Sequence, residues 1–120
     1  MDKLNKNTPY GSLKITKEAI AKIVGDEVTS TYGVAGIVSI STKDKGKLLD
    51  IDNFKNGLII KKERSSYVID IHIAVIFPLK ITEIINEVQK RVKYALSKKL
   101  KITFKNINIY VDGLLIDQNN

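Results

Sequence analysis

The sequence predicts an α/β (α+β) fold of two layers, a mixed sheet of about five strands with two long helices on one face. Three features lead there. Residues 67–77 alternate strictly, the period of a half-buried strand. Residues 80–100 instead repeat their apolar side chains every three or four positions over about five helical turns. A second stripe of that kind lies earlier, at Ile20, Ile23, Val24, Val28 and Tyr32. With 120 residues, 43% of them apolar, the chain can bury one real core but not two.

The elements follow in order. Residues 1–9 are polar, end at Pro9 and read as a flexible leader ahead of a single domain over residues 10–113. Gly11 to Ile15 alternates as a short strand. Thr16 is a good N-cap, with Lys17 and Glu18 in the first helical turn. The first apolar stripe follows, and Gly33 stands where a glycine would close that helix. Gly36 to Ser41 is short and β-branched, with Val38 and Ile40 on one face. Residues 42–57 form a polar connection in which Leu48, Leu49, Ile51 and Phe54 can make a helical turn.

Gly57 to Glu63 reads as a strand, Arg64-Ser65-Ser66 as a turn and Tyr67 to Phe77 as the longest strand. There Ile69, Ile71, Ile73, Val75 and Phe77 share a face opposite Asp70, His72, Ala74 and Ile76. Pro78 stops the ladder. The second helix, Lys80 to Leu100, carries Ile81, Ile84, Ile85, Val88, Val92, Ala95, Leu96 and Leu100 on its stripe. A last strand, Phe104 to Val111, turns Ile107, Ile109 and Val111 inward and Asn106, Asn108, Tyr110 and Asp112 outward. Residues 114–120 read as a tail, and the order is β-α-β-β-β-α-β.

Composition narrows the chemistry. The absence of cysteine excludes disulfides, thiol catalysis and cysteine zinc sites, and suits a reducing compartment. A single histidine cannot build an ordinary zinc site, and no Walker A or G-x-G-x-x-G pattern is present. No cofactor and no metal are expected. The N-terminal residues lack the apolar run of a secretory signal, and no stretch reaches the ~18 apolar residues of a membrane span, so the expected location is cytoplasmic. Asp70 and His72 share a strand face and could form a general-base pair, but a strand with a partly wet second face is the favoured account of them. No nucleophile or oxyanion site is marked beside them, so the chain is expected not to be an enzyme. Gly33-Val34-Ala35-Gly36 matches a nucleic-acid-clamping G-x-x-G, but it also suits a helix end running into a strand.

The net charge of +7 is concentrated late in the second helix. Between Lys90 and Lys105 there are seven basic residues and no acidic one, whereas Glu83 and Glu87 lie earlier. Such polarity suits the helix macrodipole and could be nothing more than a solvated face. Read as a site, Lys90, Arg91, Lys93, Lys98 and Lys101 would bind an anion or an acidic partner, RNA included. Of the 20 basic residues 18 are lysine, which nucleic-acid readers use less than arginine and which an AT-rich genome also supplies.

The chain resembles the alkaline shock protein family, the Asp-twenty-three/Gls-twenty-four envelope-stress proteins. The match is carried by Gly11 with Leu13 and Ile15, by the Glu18–Val24 helix, by Tyr32-Gly33-Val34-Ala35-Gly36-Ile37 and by Asn56-Gly57-Leu58-Ile59-Ile60. The Asp70–Val75 strand, the Ile84–Val92 helix and Val111 complete it. Phe77-Pro78 stands where members have Tyr-Gly, and Lys101-Ile102 where a Gly-Leu turn is common. The resemblance implies a small bacterial cytoplasmic protein of cell-envelope and stress homeostasis, with no established catalytic residues. It also implies a non-enzymatic adaptor that meets a membrane-anchored or lipid-metabolism protein near the membrane, with self-association possible.

Overall fold

The computed structural model describes residues 3–8, 11–64, 66–77 and 79–116. Its elements are β1 (Lys3–Thr8), β2 (Gly11–Thr16), α1 (Lys17–Thr29), β3 (Val34–Ile37), a 3-10 stretch (Ile51–Gly57), β4 (Leu58–Glu63), β5 (Ser66–Phe77), α2 (Ile81–Leu100) and β6 (Asn106–Ile116). All five expected strands and both helices are present. The sheet is mixed, because β3 and β4 run antiparallel to β5 while β6 runs parallel to it. That parallel pairing requires a crossover, and α2 supplies it.

A strand has two edges, and β5 fills both. Along one edge β4 covers Ser66 to Ile71 and β3 then covers Ile73 to Val75, so two short strands lie end to end. Between them the Val38 N–H donates to the His72 carbonyl at 3.0 Å. Along the other edge β6 accompanies β5 from Val68 to Phe77. Ile69, Ile71, Ile73 and Val75 are fully buried beneath Ile20, Val24 and Val28 of α1 and Ile84, Val88, Val92 and Leu96 of α2. Both helices therefore lie on one face, as expected. Each such side chain contributes roughly 1.5–3 kcal/mol on leaving water.

Several boundaries move. The first nine residues, expected as a leader, contain β1, which pairs antiparallel with β2 from Lys3–Thr16 to Thr8–Gly11 in a two-stranded sheet of its own. Backbone hydrogen bonds make that ladder, and a polar strand shows no apolar alternation by which to read it. The last strand begins at Asn106 and continues through the expected tail to Ile116. Its register shifts between Ile73 and Ala74 of β5, which lets pairing resume at Gly113 beyond the position where alternation breaks. Residues 117–120, also expected as tail, and Pro78, expected to stop the ladder, lie outside the described residues.

α1 starts as predicted, with the Thr16 hydroxyl accepting from the Ala19 N–H at 3.1 Å. It ends earlier than its stripe suggested, capped at Ser30, so the helical phase is lost before Tyr32. Thr31 is buried in its place and Tyr32 stands out in solvent. Gly33 then takes a φ of +93°, the left-handed turn into β3.

Gly25, on the buried side of α1, lies flat against the Phe54 ring of the 3-10 stretch, where an added Cβ would come within 2.0 Å of Cδ2. Gly25→Ala should therefore cost about 1–3 kcal/mol, measured by urea denaturation, through forced displacement of that ring. Gly25→Ala combined with Phe54→Ala should lose less than the two single costs added together.

Candidate functional site

The buried stripe of α2 is Ile84, Val88, Val92, Ala95 and Leu96. A turn of about 100° per residue puts Lys90, Lys93, Ser97 and Lys101 on the far side of the helix. Lys90, Lys93, Tyr94 and Ser97 share one shallow surface there. Lys98 reaches back over the Tyr94 ring, 5.3 Å from its centre, and donates to the phenol oxygen at 3.0 Å. Four of the five sequence-predicted cations thus face outward along the late half of α2.

Arg91 points elsewhere. Its Nη1 donates to the Ser30 carbonyl at 2.9 Å and reaches the Thr31 hydroxyl at 3.4 Å, while Nε lies 3.9 Å from Glu87. It ties α2 to the C-terminal end of α1, where carbonyls lacking helical partners favour a cation. The planar guanidinium is engaged in holding two helices, and the outward surface is made of lysine.

Lys101 adopts φ 56° and ψ 35°, the left-handed conformation, and its N–H bonds the Leu96 carbonyl to close the helix. That is the position where the resemblance expects glycine, and the backbone shows why.

The open face of the sheet carries a second constellation. Asp70 is 4% exposed, yet its carboxylate is satisfied from both neighbouring strands. Lys61 Nζ of β4 lies 2.9 Å from Oδ2, and the Asn108 amide of β6 donates to Oδ1 at 2.9 Å. The hydrogen bond to Asp70, and then its charge, hold the Lys61 ammonium above the usual lysine range. His72 does not pair with Asp70. Its Nδ1 meets Asp112 Oδ2 at 2.5 Å, and its ring stacks on Tyr110 with centroids 4.8 Å apart and planes 16° apart.

In place of an Asp70–His72 dyad there are two separate pairs, each made across strands. Period 2 puts both residues on one face, but successive same-face residues sit farther apart than cross-strand neighbours. Sequence reasoning missed Lys61 and Asp112 as the partners because both depend on register. The signal available was that Asn108, Tyr110 and Asp112 all face outward. The imidazole–carboxylate pair can orient a ring, and the stacked Tyr110 adds a flat aromatic surface. Among the described residues no group of three His, Cys, Asp or Glu could hold a metal ion. Nor is Gly33–Gly36 a clamp between helices: it is a left-handed turn followed by β3, with Val34 buried.

The model of the Asp-twenty-three family, described by a cell envelope-related function, matches residues 5–116. The chain belongs to this family. YloU of Bacillus subtilis (strain 168), described as an uncharacterized protein, is similar at 32% identity over 111 residues, 91% of this chain and 92% of that one. Spy1614 of Streptococcus pyogenes serotype M6, also described as uncharacterized, shows 30% identity over 116 residues, covering 95% and 96% respectively. Among solved structures, a manganese form of the MamM CTD overlays with a TM-score of 0.46 and 16% identity, covering 80% of this chain and 96% of that one. That likeness is too slight to bear on function.

Two outcomes follow for this Asp-twenty-three family member. Lys101→Gly should stabilise it by about 1 kcal/mol in denaturant titrations by removing the left-handed penalty. Lys61→Met should lower the melting temperature at neutral pH, because the buried Asp70 carboxylate then loses its ammonium partner. Since the folded pKa of Lys61 is raised, its contribution is fully present below the ordinary value of 10.5 and is lost as pH rises through the folded value. The melting curves of wild type and variant should converge well above that pH.

Proposed function

We propose that this Asp-twenty-three family member is a non-enzymatic adaptor of cell-envelope homeostasis, working by protein–protein contact near the membrane. The observation that carries the proposal is the outer edge of β6. Among the described residues this 11-residue strand pairs with β5 alone, and its sequence holds one charged residue, Asp112. Long edges of low charge are ready to pair with another chain, and soluble proteins normally protect them. Among the described residues the protection seen is local: Gln89 of α2 donates to the Ile107 carbonyl at 2.8 Å, at the start of the strand. A partner strand, from a membrane-anchored or lipid-metabolism protein or from a second copy, would add main-chain hydrogen bonds along the rest.

No helix among the described residues is long and apolar enough to cross a membrane. In this proposal, association with the membrane comes through a partner. A second possibility is binding of RNA by the outward lysines of α2, favoured by their placement beside Tyr94.

A tagged pull-down from cytosolic and membrane fractions, with and without nuclease, separates the two. The adaptor role expects a membrane or lipid-metabolism protein that survives nuclease and is still captured by Lys90→Glu/Lys93→Glu. Partners that vanish with nuclease and with that double substitution would make α2 a nucleic-acid interface and end the adaptor proposal.

A further inference from the structure

We infer that the apolar end of the molecule around the start of α2 binds a cationic amphipathic segment of a partner protein. The inference rests on the adaptor proposal for the existence of such a partner. It adds the surface and the partner's chemistry.

β5 and β6 run on past the helix layer. The core-facing positions of β5 are fully buried from Ile69 to Val75, but the next one, Phe77, is 49% exposed. Directly paired residues share a face, so Leu114 beside Val75 and Ile116 beside Phe77 point to the core side as well. They are nonetheless 53% and 72% exposed. The cause is length: α1 has ended at Thr29, and α2 does not begin until Ile81. The Ile76 N–H donates to the Gly33 carbonyl at 2.8 Å, which brings Tyr32, 84% exposed, to the same end. Apolar side chains at core-side positions are thus left uncovered by the two helices. Exposed apolar side chains at core-side positions mark interaction sites.

Charge decides which segment. Tyr32, Leu79 and Ile84 line a groove whose other members are Glu83, Glu87 and Lys80. The carboxylates are held only loosely, Glu83 at 3.8 Å from Lys80 and Glu87 at 3.9 Å from Arg91. In a chain of net charge +7, two carboxylates against one ammonium give this groove a locally acidic rim. A second copy using the same surface would bring Glu83 and Glu87 against themselves, and an anionic lipid surface would be repelled by them. A segment with one apolar face flanked by Lys or Arg satisfies both features.

The test uses a fluorescein-labelled peptide of about five helical turns built from Leu and Lys at amphipathic spacing. An otherwise identical Leu/Glu peptide is the control, and both are titrated against the full chain by anisotropy. The Leu/Lys peptide should bind and the Leu/Glu peptide should not. Tyr32→Ser and Glu83→Lys/Glu87→Lys should each weaken binding about tenfold or more. Lys98→Glu/Lys99→Glu, at the other end of α2, should leave it unchanged. Unaltered affinity in the glutamate variant, or equal binding of both peptides, overturns the inference. So does a dimer in sedimentation that Tyr32→Ser and Ile116→Ser convert to monomer, since the patch would then belong to a second copy. If envelope partners are captured equally well by Glu83→Lys/Glu87→Lys, this surface fails and the adaptor role stands. If the peptide binds as expected but no envelope partner is captured, the adaptor role fails and the surface stands.

Discussion

β5 hydrogen-bonds along both edges, and the other elements take their places from that constraint. A 12-residue strand buried on its core face cannot leave main-chain groups unpaired, so each edge must find neighbours along its whole length. On one side two short strands share the task, and the 13 residues between β3 and the 3-10 stretch carry the chain from one to the other. On the other side a single long strand does it, in parallel, which is possible only because α2 spans the distance back. The helix layer exists on the face where Ile69, Ile71, Ile73 and Val75 need cover, and it stops where the helices stop. Phe77, Leu114 and Ile116, beyond the helix ends, are exposed.

The same ladder sets the polar chemistry of the opposite face. Asp70 is a buried carboxylate tolerated because β4 brings a lysine and β6 an amide to it from either side. One step along, the irregularity in β6 brings Asp112 to His72 while Tyr110 stacks on the ring. Both groups are held by strands that approach β5 from different parts of the chain, so any loss of register would leave a buried charge without its partner.

Charge on α2 follows a simpler rule. Acidic residues near its start and basic residues near its end oppose the partial charges of the helix termini. The arrangement gives the molecule an acidic apolar end and a lysine-rich opposite end. Arg91 stands apart from the lysines because carbonyls at the end of α1 lie within its reach.

What the sequence by itself determined was local and periodic. Period 2 placed Ile69, Ile71, Ile73 and Val75 in the core, period 3.6 placed Val88, Val92 and Leu96 there, Thr16 marked a helix start, and the ordered set of motifs pointed to the Asp-twenty-three family. These were legible because each rests on spacing along the chain. Tyr32 and Arg91 were misplaced by the same logic: a helical stripe does not announce where the helix will be capped, and a run of cations does not show which one finds a carbonyl. The polar strand β1 left no periodic trace at all. Only the tertiary structure decided that His72 meets Asp112 while Asp70 meets Lys61 and Asn108, and that the core face extends beyond its helices. Period fixes which face a side chain occupies. The neighbour across the gap depends on strand order, register and element length, which are settled only when distant segments pack together.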